Sequence, residues 1–325
     1  MRLFSFLYLW LVPMTRNIWK WQDTHDIHYE SYVTPGKTNL VLIHGFGASS
    51  YHWRHNVNEL AKHYSVFAID LIGFGSSAKP ILEYTPDLWK NQTADFVRKI
   101  YAETNQPVVL IGNSLGGYTA MYAATDEKIR SMVPAIILLN PVGVFRGQGD
   151  LSRFSWLAQK PLIMGLYYYL IPFFSFGGHL STENWSKTHI RSILKSVYPY
   201  HSENVDDALV ESITRPALHP NASEVFYSVI KNMFKYEVPA NAHVPTYILM
   251  GKKDPWIYNY DDFVNECSKD VVSDSLLCAF DMRVGARNSP YIFGKWLDAG
   301  HCPHDEIPDV VNAYILSFLH IALSA

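Results

Sequence analysis

Three side chains in this sequence have the types and the chain order for nucleophilic acyl chemistry: Ser114, Asp254 and His301. Ser114 is the centre of Gly112-Asn113-Ser114-Leu115-Gly116. An apolar β-branched run, Val108 to Ile111, leads into it, and Tyr118 to Ala124 after it has the composition of a packed helix. A serine at the apex of a strand-to-helix turn is pushed clear of the sheet. Glycines two positions to either side keep neighbouring backbone out of its way. The helix that follows aims free N–H groups at a developing oxyanion. A serine hydroxyl is a poor nucleophile until a base takes its proton, and the base needs a third group to hold its tautomer. In this topology the partners follow as serine, acid, histidine, each just past the carboxyl end of a strand. Asp254 follows the run Pro245 to Met250, and His301 follows Tyr291 to Leu297.

The competing residues are weaker. Asp70 precedes Ser114 and belongs to an Asp-x-x-Gly-x-Gly turn, where backbone capping is its expected role. The other common place for the acid, after the strand that follows the serine, holds Asn140-Pro141, which carries no charge. His304 lies further into the loop after His301, and His52 and His55 fall in an expected helix as a polar face rather than metal ligands. The oxyanion donors are expected to be the backbone N–H groups of Leu115 and of Phe46 in His44-Gly45-Phe46-Gly47. Gly45, Asn113 and Trp256 beside these groups are candidate substrate contacts.

The elements that must carry these residues alternate. Strands are expected at Thr38–Ile43, Val66–Ile69, Val108–Ile111, Ala135–Leu139, Pro245–Met250 and Tyr291–Leu297, with an edge strand within Trp19–Glu30. Helices are expected at Tyr51–Tyr64, Pro86–Glu103, after Ser114, and from Pro308 to about Leu323. Such alternation implies an α/β fold with a mostly parallel central sheet and helices on both faces. The rhythm breaks from 144 to 242, read as a helical cap inserted into a core of 19–143 and 243–325. The cap holds Tyr167, Phe173 and Phe174, further candidate substrate contacts in an apolar run broken by Gly165 and Pro172.

Composition narrows the function. A net charge of −3 gives no basis for a nucleic-acid partner, and aromatics at 14% fit a large apolar pocket, a peripheral membrane contact or simply an aromatic-rich core. Three cysteines without metal spacing indicate reduced thiols and no metal site. Residues 1–18 begin with a short apolar run suited to a targeting segment or anchor. The polar stretch 268–289 reads as a surface insertion. Nothing in the sequence sets the oligomeric state.

With these residues in place the chain resembles α/β-hydrolases of the serine type. LVLIHGFGASSYHWR, FAIDLIGFGSS, VLIGNSLGGYTA, KKDPW and AGHCPHDEIPDVVN, with cap segments SILKSVY and NVDDALVESITRPALHPNASEVFY, are together similar to the chlorophyll dephytylase and pheophytinase-like branch of plants and algae. The resemblance implies hydrolysis of the phytyl ester of chlorophyll or a related pigment. It further implies no cofactor, magnesium present only within the substrate, and a plastid location with contact to the thylakoid membrane. A general carboxylesterase or lipase, an acyltransferase, or a ligand receptor that keeps the triad would share these residues.

Overall fold

Runs of β-branched and aliphatic residues that are apolar at every position can only be buried on both faces of a sheet. Four strands built on such runs form its centre: β3 (Asn39–Ile43), β4 (Ser65–Ile69), β5 (Val108–Asn113) and β6 (Ile136–Leu139), each buried along its whole length. The computed structural model describes residues 14–142, 183–232, 244–256 and 292–324. With β1 (Thr15–Trp21), β2 (His25–Tyr32), β7 (Thr246–Gly251) and β8 (Ile292–Leu297), the strands make an eight-stranded sheet in the order β1-β2-β4-β3-β5-β6-β7-β8. The pairs β1–β2 and β2–β4 are antiparallel and all the others parallel. The expected α/β fold is therefore present.

Alternation along the strands divides the core into two layers. Val41, Ile43, Leu110, Ile136 and Leu138 face one side, packed against α2 (Pro86–Thr104) and α3 (Leu115–Ala123). Leu40, Leu42, Val109, Ile111, Ile137 and Leu139 face the other, against α1 (Val57–Leu60) and α8 (Pro308–Ser324), which follows the short α7 (Pro303–Glu306). Pro86 opens α2 with its ring-fixed φ, and Asn105 ends it in the left-handed conformation at φ 52°.

Between β6 and β7 the described residues are helical: α4 (Glu183–Val197), α5 (Asp207–Ala217) and α6 (Ala222–Asn232). Leu194, Val197, Tyr198, Val205, Leu209 and Val210 form a third apolar cluster that meets the core at Cys302. Tyr167, Phe173, Phe174 and the 268–289 stretch lie outside the described residues.

Two expectations need correction. The Trp19–Glu30 edge strand is a hairpin, because Gln22 and Asp23 take positive φ (51° and 58°) and turn the chain back on itself. Its first strand begins at Thr15, inside the segment set apart as 1–18. The Tyr51–Tyr64 helix is a 3₁₀ turn, Ser50–Trp53, followed by the single turn of α1. His52 and Trp53 are drawn inward there, to within 4.7 and 4.3 Å of the His304 ring. His52 is accordingly buried rather than on a polar face.

Candidate active site

Parallel strands place their carboxyl ends on one edge, and ligands bind in the crevice beyond that edge. Ile43 pairs with Gly112, Asn113 with Leu139, and Gly251 with Leu297, so the loops bearing Gly45, Ser114, Asn140, Asp254 and His301 leave the sheet together. Ser114 sits between β5 and α3 at φ 55°, ψ −117°, a strained conformation for a residue with a side chain. Its backbone is held in place: the N–H donates to the Leu139 carbonyl at 2.9 Å, and its own carbonyl accepts from Tyr118 at 3.0 Å and Val142 at 3.2 Å. Two flanking glycines make the turn sterically attainable. A Cβ on Gly112 would run into the Gly116 carbonyl, and one on Gly116 into the carbonyls of Ile43 and His44. Gly116→Ala is therefore expected to destabilise the fold by about 3 kcal/mol. An unchanged urea midpoint would show that the elbow yields instead.

His301 reaches Ser114 and Asp254 at once. Its Nε2 lies 2.9 Å from Ser114 Oγ, and its Nδ1–H donates to Asp254 Oδ2 at 2.7 Å. All three residues are buried. Burial alone would raise the Asp254 pKa. The charge and hydrogen bond of His301, the Trp256 N–H at 2.8 Å and the Asn140 amide at 2.5 Å outweigh it and hold the carboxyl below its ordinary range. Asn140 thus has a task that its uncharged side chain did not advertise. It donates to Asp254, while its Oδ1 accepts from the Gly251 N–H at 3.0 Å. A residue that cannot be the acid holds the acid in place.

The loop after β3 packs on the elbow: a Cβ on Gly45 would lie 3.2 Å from Ser114 Cβ. His44 fixes that loop. Its Nε2 accepts from the Leu71 N–H at 3.0 Å, so Nδ1 carries the proton and donates to the Gly45 carbonyl at 2.7 Å. The Phe46 ring packs between Phe74 and Phe226, with centroids 5.6 and 4.8 Å away. The Phe46 and Leu115 N–H groups donate to no acceptor among the described residues. Trp256 lays its ring 4.7 Å from His301, and its indole N–H is buried without a partner among the described residues.

Asn113, a candidate substrate contact, ends β5 beside Ser114. Its amide is turned inward, donating to the Leu139 carbonyl at 3.1 Å and the His301 carbonyl at 3.0 Å, which leaves no donor for a ligand.

Asp70 is a loop anchor. Its carboxylate accepts from the Ser50 N–H at 2.6 Å, the Ser76 N–H at 2.7 Å and His28 Nδ1 at 3.0 Å. A Cβ on Gly75 would overlap it. Nothing connects it to Ser114 or His301 among the described hydrogen bonds.

The histidines beside the site have a consequence for stability. Burial pushes His52 down from 6.5 to about 4 and lowers His304 and His44 as well. Unfolded, these rings take protons near pH 6.5; folded, they stay neutral. The unfolded state therefore binds more protons, and stability falls as pH drops below 6.5. For His52 alone the shift corresponds to about 3 kcal/mol by pH 4. His28 runs the other way. Burial lowers it, but the Asp70 hydrogen bond and charge prevail and raise it. Its stabilisation is complete below pH 6.5 and is lost only above, so it does not offset the acid loss. Denaturant unfolding at a series of pH values should show this decline between 6.5 and 4. A flat profile would mean that the buried rings protonate in the folded state.

Comparison with known proteins agrees with this architecture. The alpha/beta hydrolase family matches residues 40–314. A chloroplastic pheophytinase from Arabidopsis thaliana is 27% identical over 90% of this chain, a region spanning 64% of that protein's length. The human 1-acylglycerol-3-phosphate O-acyltransferase ABHD5 is 33% identical over 42% of this chain and 36% of its own. Among solved structures, a bacterial membrane phospholipase A superposes with a TM-score of 0.68 at 20% identity, over 97% of this chain and 88% of that one. The family match begins within β3 and ends within α8, taking in the elbow and every parallel strand of the sheet, and so this chain belongs to the alpha/beta hydrolase family.

Proposed function

We propose that the protein hydrolyses carboxylic esters through an acyl-enzyme on Ser114, with the phytyl ester of chlorophyll or a related pigment as its substrate. The alignment of Ser114 Oγ, His301 and Asp254 within hydrogen-bonding distance carries the chemistry. Similarity to a pheophytinase over nine-tenths of the chain supports the substrate.

In this reading Ser114 Oγ attacks the ester carbonyl while His301 Nε2 takes its proton. The resulting oxyanion is met by the Leu115 and Phe46 N–H groups, each such donor contributing on the order of 3 kcal/mol. His301 then returns the proton to the leaving alkoxide. The carbonyl–oxygen bond breaks, phytol departs, and the pigment acid stays esterified to Ser114. Water, deprotonated by His301, then attacks the acyl carbonyl, the bond to Ser114 Oγ breaks, and His301 returns the proton to that oxygen as the pigment acid departs. No cofactor or protein metal takes part, because any magnesium belongs to the substrate.

The test is purified protein with chlorophyll a, pheophytin a and a short p-nitrophenyl ester. Release of phytol from either pigment is expected. Cleavage of the short ester alone would reduce the reading to a general esterase. The likeness to an acyltransferase motivates a second reading, in which an alcohol rather than water takes the acyl group. Ester formation in the presence of an added alcohol distinguishes it. The plastid location rests on the chloroplastic relative.

The cap is the proposed source of preference for a long isoprenoid. Replacing Phe173 and Phe174 by serine is expected to lower kcat/KM for the phytyl ester roughly 5- to 150-fold, at ~1–3 kcal/mol per lost apolar contact, while sparing the short ester. Equal losses on both substrates, compared in one detergent, would assign these rings to packing.

A further inference from the structure

Glu306 is a carboxylate with only 1% of its surface exposed, and no cation pairs with it among the described residues. An ionised carboxylate in such a place must be satisfied by hydrogen bonds. Three backbone N–H groups do this. Oε2 accepts from Gly300 at 2.5 Å, and Oε1 accepts from Tyr200 at 2.8 Å and His201 at 3.1 Å. Gly300 immediately precedes the base, and Tyr200 and His201 belong to the chain leaving α4. One side chain therefore ties the His301 loop to the root of the helical insertion.

The rest of that loop is held in the same way. The His301 N–H donates to the carbonyl of Val197, the last residue of α4, at 3.0 Å. The His301 carbonyl accepts from the Asn113 amide at 3.0 Å. A Cβ on Gly300 would collide with the Val197 carbonyl, so the two segments lie backbone against backbone. The adjoining contacts reinforce the joint. Asn204 donates to the Glu306 carbonyl at 3.0 Å, and Arg54 bridges Asp305 and Asp206 at 2.8 Å each. The ring of His301 is thus aimed at Ser114 by three backbone anchors, two on His301 itself and one on Gly300, and two of the three lead to the insertion.

We infer that Glu306 is a positioning residue for His301, setting the base's alignment with Ser114 and making it depend on how the root of the insertion is seated. The inference rests on the hydrolase reading for its consequence in turnover, but not for the geometry it predicts. A displacement of about 1 Å at a reacting group costs on the order of 100-fold in rate. Glu306→Gln keeps the size but can offer an oxygen to only one side, turning its NH₂ toward an N–H on the other.

Two readouts in the full chain separate the outcomes. In protein labelled with ¹⁵N-histidine, the His301 Nδ1–H held by Asp254 should give a sharp low-field proton signal in wild type. It should broaden or vanish in Glu306→Gln. On a short ester, kcat should fall roughly 10- to 100-fold with KM within about threefold of wild type. Wild type that turns over no ester would sink the hydrolase reading, and the proton signal would still decide the role of Glu306. An unchanged signal together with wild-type kcat in a folded Gln variant overturns the inference. Should Glu306→Gln not fold, Glu306→Asp, which keeps the charge but loses reach, decides in its place by the same readouts. Unfolding of both would assign the carboxylate to stability alone and overturn the positioning role.

Discussion

Ser114→Ala is expected to abolish ester turnover, by about 10⁶ in kcat where the nucleophile and base act as one unit, while leaving the fold intact. The reason is local. Ser114 Oγ makes one described side-chain hydrogen bond, to His301 Nε2 at 2.9 Å, so its loss leaves no buried charge stranded. The strained backbone at φ 55° is retained by the bonds to Leu139, Tyr118 and Val142, none of which uses the hydroxyl. A fluorophosphonate probe should label wild type and not the variant, and circular dichroism should superpose. Labelling of the variant at equal strength would remove Ser114 from the chemistry. Loss of activity with loss of fold would instead mean that the hydroxyl supports the turn.

Asp254→Asn should cost about 10⁴ in kcat, the scale on which a misoriented base is penalised. Asp254 is an acceptor only, and with its pKa held low it stays ionised through the neutral range. It therefore obliges His301 to carry its proton on Nδ1 and present a bare Nε2 to Ser114. An amide at this position can turn its NH₂ toward Nδ1. That moves the proton to Nε2, where it meets the Ser114 hydroxyl as donor against donor. The Trp256 backbone N–H donates to Oδ1 at 2.8 Å while His301 reaches Oδ2, so when the oxygen of the new side chain stays with Trp256 the NH₂ takes the place that faces His301. Asp70→Asn is the matched control. Asp70 accepts from two backbone N–H groups and from His28, so its loss should appear in the unfolding midpoint, with kcat near wild type. If Asp70→Asn lowers kcat by orders of magnitude in a folded protein and Asp254→Asn does not, the carboxylates have been assigned the wrong way round.

The sequence by itself determined the strands of the sheet and the chain order of the three groups proposed to react. Continuous apolar runs such as Val108–Ile111 have one outlet, a strand covered on both faces, and the layers follow from alternation within them. The Ser114 turn was legible because its glycines answer a requirement met within five residues. Its other wall, the carbonyls of Ile43 and His44, lies at the end of β3, and that β3 pairs with β5 is seen only in the fold. Asp254 and His301 could be placed because each stands just beyond a strand.

Other features became visible only when distant segments met. Nothing near Asn140 announces an amide that steadies a carboxylate 114 residues away. Asn113 looks like a site residue by position, yet its amide is spent on the carbonyls of Leu139 and His301. Glu306 carries no mark of its role in the linear sequence, because its donor Tyr200 lies 106 residues earlier. His52 and Trp53 lie where periodicity predicts a helix, and contact with His304, some 250 residues on, breaks that helix. Strand and turn preferences are set by neighbours a few residues apart, so the linear pattern records them. The partners of a buried polar side chain are chosen by which backbone groups the fold leaves unsatisfied beside it, and that choice is made only in three dimensions.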